Sequence, residues 1–238
     1  MELADIHCHL IPYVDDGAYD IDESRKLLKT EVEQGVRTIC LTPHLRADMF
    51  ETPEEEILRR FEQVRELVQE ENLPLTLYHS REYHYDALFR QKLAEGAVRP
   101  LGEGNTLLVE FGRRHGEEEM LQAVETVLAA GFRPLIAHVE RYRPTQNDWK
   151  FAYELIDAGA FLQINAGSVL GREGFHQKQL CKKLLQKELV AVIGSDAHDT
   201  RVRVPDLQDC RKILEKKYGP DTAKRLLSDK PLAILRGE

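Results

Sequence analysis

The feature that most constrains this chain is an alternation. Seven apolar runs of strand length, at 3–8, 36–42, 74–80, 106–111, 133–138, 160–165 and 189–194, are separated by stretches of helical period. The spacing predicts helices near 22–34, 53–71, 86–95, 117–130, 148–158, 176–187 and 206–218, with a short last one near 221–228. Most of the runs are rich in Val, Ile and Leu with little polar alternation, the pattern of parallel strands buried on both faces. Parallel neighbours need right-handed crossovers, which the intervening helices supply. Seven such units fill the 238 residues and leave no room for a second domain. The expected architecture is therefore α/β, a seven-stranded parallel (β/α)7 TIM-like barrel forming one domain over 1–238. An open doubly wound sheet is the competitor, but neither G-x-G-x-x-G nor G-x-x-x-x-G-K-[ST] occurs.

Composition narrows the function. The chain has 33 Lys+Arg against 41 Asp+Glu, a formal charge of −8, and no Lys/Arg block. That balance argues against sequence-independent nucleic-acid binding and against an anionic membrane surface. No run approaches the length of a spanning helix, and the polar start M-E-L-A-D-I-H-C-H does not read as a signal peptide. The four cysteines, Cys8, Cys40, Cys181 and Cys210, form no C-x-x-C pair. A cytoplasmic protein with reduced thiols is the expectation. Thr52-Pro53-Glu54 reads as a helix start with Thr52 as its cap, and Gly35, Gly131 and Gly159 as helix ends.

Chemistry in a parallel barrel belongs at the C-terminal ends of the strands. Here the first run ends in His7-Cys8-His9, followed by Asp15-Asp16, and the second in Thr42-Pro43-His44. The others lead to Glu82, Glu110, His138 and Asp196-Ala197-His198, while the sixth ends in neutral Asn165. Alternate residues of a strand point the same way, so His7 pairs with His9 and Asp196 with His198. A half-buried rim holding this many carboxylates is costly without a cation. Imidazole with carboxylate and no thiolate suits Mn, Fe, Co or Zn, and the number of donors suggests two or three divalent ions. Clustered divalent ions suit phosphate-ester hydrolysis.

D-I-H-C-H, T-P-H and G-S-D-A-H, with the barrel pattern, resemble the polymerase-and-histidinol-phosphatase (PHP) family. H-C-H-L-I-P-Y-V-D-D-G-A, V-E-F, A-H-V-E-R-Y and N-A-G-S resemble its bacterial capsule-biosynthesis tyrosine-phosphatase branch across essentially the whole chain. The resemblance implies three ion sites: His7, His9, Glu82 and Asp196; Glu82, Glu110 and His138; and Asp16, His44 and His198. It chooses Asp16 over Asp15, and it makes Arg141 and Arg203 the substrate-phosphate ligands, with Arg201 close enough to the second to compete. It also implies manganese as the leading metal, and as substrate the phosphotyrosine tail of an autophosphorylating bacterial tyrosine kinase that controls polysaccharide export. The implied chemistry is in-line attack by a metal-bound hydroxide, with Asp196 and His198 at the reacting end and His198 or water supplying a proton.

Three other readings compete. Cys40-x5-Arg46 matches the cysteine-phosphatase spacing, but its loop lacks the glycines of a phosphate cradle and Cys40 lies mid-run. A small phosphomonoester such as histidinol phosphate would use the same metals, yet the chain has no long insertion to enclose it. A non-catalytic metal-bearing regulatory module would have lost donors, and none is missing. Of the remaining residues, Trp149 and Tyr153 read as one packed helix face. His79, His115 and His176 match no donor position, and His84 is near enough to Glu82 to reach the rim. Tyr83, Tyr85 and Tyr142 could meet a substrate ring, and Arg113-Arg114 could guide an acidic substrate.

Overall fold

A computed structural model describes residues 1–238 and realises the alternation. The strands are β1 (Leu3–Cys8), β2 (Val36–Leu41), β3 (His44–Leu45), β4 (Thr76–His79), β5 (Glu82–His84), β6 (Thr106–Glu110), β7 (Arg133–Ile136), β8 (Phe161–Asn165) and β9 (Val192–Gly194). The first helices are α1 (Ile21–Glu33), α2 (Glu54–Glu70), α3 (Ala87–Ala94) and α4 (Glu117–Ala129). They are followed by α5 (Arg143–Asn147), α6 (Phe151–Asp157), α7 (Ala166–Leu170) and α8 (Phe175–Gln186). The last are α9 (Leu207–Tyr218), α10 (Pro220–Lys224) and α11 (Lys230–Arg236).

Every strand pairing is parallel. Two sheets, ordered β1-β2-β4 and β3-β5-β6-β7-β8-β9, curl into a half-barrel. Nine strands stand where seven were expected, because the second and third runs are each interrupted. Pro43, between β2 and β3, has no N–H to give to a ladder. Hydrogen bonds still cross the breaks: Ser80 N donates to Leu41 O at 2.9 Å and Glu82 N to Pro43 O at 3.1 Å. Beyond β9, Asp196 N donates to His7 O and His9 N to Ala197 O, each at 2.8 Å.

The main core of 53 buried residues lies between strands and helices, filled by side chains such as Leu27, Ile57, Val64 and Phe89. A second cluster of nine joins Ile6, Cys40, Leu108, Leu135 and Val192 of the strands to Ile234 and Leu235 of α11. No helix is long and apolar enough to cross a membrane. Asp20 and Asp86 cap α1 and α3 by accepting from Glu23 N and Phe89 N. Thr52 does not cap α2. Pro53 takes that position, and the Thr52 hydroxyl donates to Val14 O at 2.8 Å, tying α2 to the loop after β1. The C-terminal helix runs further than expected, from Pro220 to Arg236, through a π-helical turn at Arg225–Asp229. Pro231 follows that turn without an N–H of its own, so the ladder shifts register there.

Candidate metal centre

The irregular register of β1 against β2 carries His7 and His9 to the end of the half-barrel. The two Nε2 atoms lie 3.4 Å apart. Glu82 Oε2 is 3.3 Å from His7 Nε2 and 3.2 Å from His9 Nε2, and Asp196 Oδ1 is 3.4 and 3.6 Å from the same atoms. Donors held at about 2.0–2.2 Å around one ion stand about 3.0–3.6 Å from each other. Glu82 Oε2 is moreover buried with no hydrogen-bond partner, and buried Asp196 Oδ1 has only the Arg203 guanidinium, at 2.7 Å. Two buried carboxylate oxygens aimed at the same pair of imidazole nitrogens, one of them without a hydrogen bond, are what a cation site presents. The residues present fit a divalent ion.

Two further groupings overlap the first. His9, Asp16, His44 and His198 converge, with Asp16 Oδ1 3.5 Å from both His44 Nε2 and His198 Nε2. His44, Glu82 and Glu110 form the other, His44 Nδ1 lying 3.0 Å from Glu82 and 3.5 Å from Glu110. His138 adjoins it, its Nε2 2.8 Å from Glu82 Oε1 and 3.9 Å from Glu110. All nine expected donors are thus brought to one place, with His44 and His9 each placed to serve more than one grouping.

The neighbours hold the rings in their donor tautomers. His9 Nδ1 donates to Asp15 Oδ2 at 2.7 Å, leaving Nε2 free. Asp15 also accepts from His44 N and Gly17 N, so it is the buried organiser, while half-exposed Asp16 faces the cleft. His7 Nδ1 donates to Gln163 Oε1 at 3.0 Å, and the same oxygen accepts from His138 N at 2.7 Å. Gln163 Nε2 donates to Asn165 Oδ1, and Asn165 Nδ2 to Asp196 Oδ2 at 2.7 Å. Sequence alone gives Asn165 only as a neutral strand end and passes over Gln163, although their i, i+2 spacing on β8 is the same signal that marks His7 and His9. Two glycines make room: a Cβ on Gly17 would meet His9 O at 2.1 Å, and one on Gly194 would meet His7 Cβ at 2.9 Å. His138 and Asp196 hold left-handed backbone at φ 33° and 54°, strained for residues with a side chain.

Both arginines reach Asp196. Arg141 Nη1 lies 2.8 Å from Oδ2 and Arg203 Nη2 2.7 Å from Oδ1, whereas Arg201 is exposed and unpaired. Arg141 is also held by Glu173, which had no expected role, at 2.7 Å. Together with Asp16, His44, Glu110, His138 and Phe50, the arginines line a cleft of about 610 Å³. A comparable cavity of about 640 Å³ beside Glu54, Arg81 and Arg99 contains none of the donors.

The electrostatics show a site short of positive charge. Burial opposes ionisation of Glu82 and Asp196, yet His7 and His44 hold Glu82, and Arg141 and His7 hold Asp196, well below the usual carboxylate range. Glu110 falls to about 2 despite burial and the Glu82 charge, through His44 and His84. Burial would make His7 and His44 less basic, but the facing carboxylates raise them to about 9 and about 10. His198 falls to about 4 through burial and the neighbouring His9. Without ions, protons on two imidazoles supply part of the charge that the carboxylates demand.

Other expectations resolve plainly. Cys40 is fully buried in the smaller apolar cluster, and burial pushes its thiol well above the ordinary value, so C-x5-R is a chance match and no nucleophile. Tyr83 and Tyr85 are buried away from the cleft, and the Tyr142 hydroxyl lies 3.0 Å from His138 Nδ1, where it orients a donor. His84 hydrogen-bonds Glu110 at 3.1 Å. His79 packs on Phe61, His115 bonds Gly112, and Trp149 packs edge-on against Tyr153.

A half-barrel of parallel strands whose ends gather imidazoles, carboxylates and two arginines around one cleft defines an α/β protein built for divalent ions and an anionic ligand. The chain belongs to the capsular polysaccharide synthesis family CpsB/CapC, which it matches over residues 3–236. It is 37% identical to the tyrosine-protein phosphatase CpsB of Streptococcus pneumoniae, over 98% of both chains. It is 29% identical to the tyrosine-protein phosphatase YwqE of Bacillus subtilis, over 98% of this chain and 91% of that one. Its fold superimposes with a TM-score of 0.92, at 29% identity, on a structure described with YwqE and CpsB as unique metal-dependent tyrosine phosphatases, covering 99% of this chain and 95% of that one.

Proposed function

We propose that this chain is a metal-dependent protein-tyrosine phosphatase, one domain over 1–238, working in the cytoplasm on the phosphotyrosine tail of a bacterial tyrosine kinase of polysaccharide export. The observation that carries the reading is the convergence of three overlapping donor groups with Arg141 and Arg203 on one cleft. The nine strand segments make seven positions of a closed barrel in this reading, β2 continuing into β3 and β4 into β5.

His7, His9, Glu82 and Asp196 would hold one ion; Glu82, Glu110 and His138 a second, with His44 adjoining; Asp16, His44 and His198 a third. Manganese is the first candidate, then iron, cobalt or zinc. Bound divalent ions supply Lewis acidity and make water nucleophilic near neutral pH. The protein does the rest. Asp15 and Gln163 keep Nε2 of His9 and His7 aimed into the site. Arg141 and Arg203 present guanidinium forks to the phosphoryl oxygens, and Asp196, which both touch, keeps them in register with the donors. A phenolate of pKa about 10 leaves with little acid assistance. His198, whose Nδ1 proton is tied to Asp196 O at 3.0 Å, acts through Nε2 as a donor atom, and the leaving oxygen takes its proton from solvent.

The test combines elemental analysis with turnover of a phosphotyrosyl peptide and of histidinol phosphate, for the native chain, His7→Ala and Arg141→Ala. The expected result is bound divalent metal, preference for the peptide, and severe loss in both variants. Near-normal activity in His7→Ala overturns the site, and preference for histidinol phosphate overturns the substrate.

A further inference from the structure

Four arginines lining the cleft or the groove beside it have no carboxylate partner. Arg46, Arg113 and Arg143 line it beside Glu110 and Arg141, and Arg113 and Arg143 continue into an adjoining shallow groove of about 480 Å³ with Arg114, His115 and Asn147. Arg113, Arg114 and Arg143 are exposed. Elsewhere on the surface, Arg25, Arg59, Arg65, Arg99, Arg172 and Arg211 are ion-paired, while Arg90, Arg133, Arg201, Arg225 and Arg236 are exposed without a pair but line neither the cleft nor the groove. In a chain with 41 acidic residues, four neighbouring arginines left unpaired form a local positive field against a net charge of −8. Glu117 is the one carboxylate lining the groove.

We propose that Arg113 and Arg143 form a second anion subsite that binds an acidic side chain of the substrate peptide beside the phosphotyrosine. This rests on the phosphatase reading above and names what that reading leaves open, the flanking sequence. Chain geometry sets the range. Arg113 follows Glu110 by three residues and Arg143 follows Arg141 by two, so their Cα atoms lie within about 11 Å and about 7 Å of those residues. An extended peptide advances about 3.3 Å per residue. The anion it carries therefore sits within about four positions of the phosphotyrosine. The groove offers no large apolar side chain, so recognition is by charge and weakens with salt. Arg46, which lines the cleft but not the groove, adds to the field.

The experiment uses the manganese-loaded full chain and three phosphotyrosyl peptides alike except that positions within about four of the phosphotyrosine are acidic, neutral or basic. The expected kcat/KM is highest for the acidic peptide, by about threefold to tenfold over the neutral one, carried in KM and lost in high salt. Arg113→Gln with Arg143→Gln brings the acidic-to-neutral ratio near one, and Arg113→Glu with Arg143→Glu inverts the order, with unchanged melting temperatures. A native chain that turns over all three peptides equally, or charge-reversed chains that keep the native order, overturns the subsite and leaves the phosphatase reading standing. No turnover of any peptide overturns both.

Discussion

Two regions of the half-barrel are made from the same strands and behave oppositely. Leu108 on β6 is fully buried in the small apolar cluster, and Glu110, two residues on and on the same side of the strand, belongs to the candidate metal centre. β9 repeats the pattern, with Val192 in the cluster and Asp196 just beyond the strand end. The apolar end is satisfied by its own contacts. The polar end holds a buried oxygen, Glu82 Oε2, with no hydrogen-bond partner, and crowded carboxylates that suit a cation brought from outside. Stability and chemistry are thus separated by about one strand repeat: damage at the apolar end should spare the chemistry, whereas loss of ions from the polar end should cost both.

The sharpest way to test that separation is to strip the ions. Chelation should abolish phosphotyrosine turnover, by more than about 100-fold, and lower the melting temperature, and both should return on adding manganese. A melting temperature indifferent to metal would mean that the polar end needs no ion. Asp196→Asn follows, with an expected loss of about 100-fold or more in kcat, since it weakens an ion ligand and the anchor of both arginines together; steady-state kinetics with circular dichroism separates this from misfolding. At the apolar end Leu108→Ala should cost about 2–5 kcal/mol in a denaturant titration while the folded fraction keeps its full metal complement. Gln163→Leu sits on the boundary: it should weaken metal binding about 10- to 100-fold by isothermal titration, with the fold intact. The smallest change is expected for Cys40→Ser, with activity within about twofold of the native chain and a modest drop in melting temperature from a buried hydroxyl.

What could be read from the sequence follows the same division. Strand positions were legible because apolar runs of that length have few alternatives. The convergence of the nine candidate donors was legible because imidazole and carboxylate at strand ends are chemically expensive unless used. The partners of those donors were not. Gln163, Asn165 and Glu173 are common polar residues whose importance lies in whom they touch, and His7 and Gln163 are 156 residues apart. Asp15 and Asp16 are adjacent carboxylates that only the folded loop distinguishes, one turned inward to two histidines and the other left half-exposed. The left-handed backbone at His138 and Asp196 likewise had no usable signal: His and Asp adopt it more readily than most side chains, yet only at a small share of their positions. The break at Pro43 did have one, a proline without an N–H inside an otherwise continuous strand pattern.

Gly17 and Gly194 carry no chemistry, yet they set how much the molecule can vary. An exchange of carboxylate for imidazole on the rim still leaves a donor in place. A single added carbon at 17 has the His9 carbonyl in its way, and one at 194 has the His7 side chain. Drift along this chain is therefore more narrowly bounded at two positions with nothing to offer an ion than at some of those that would hold one.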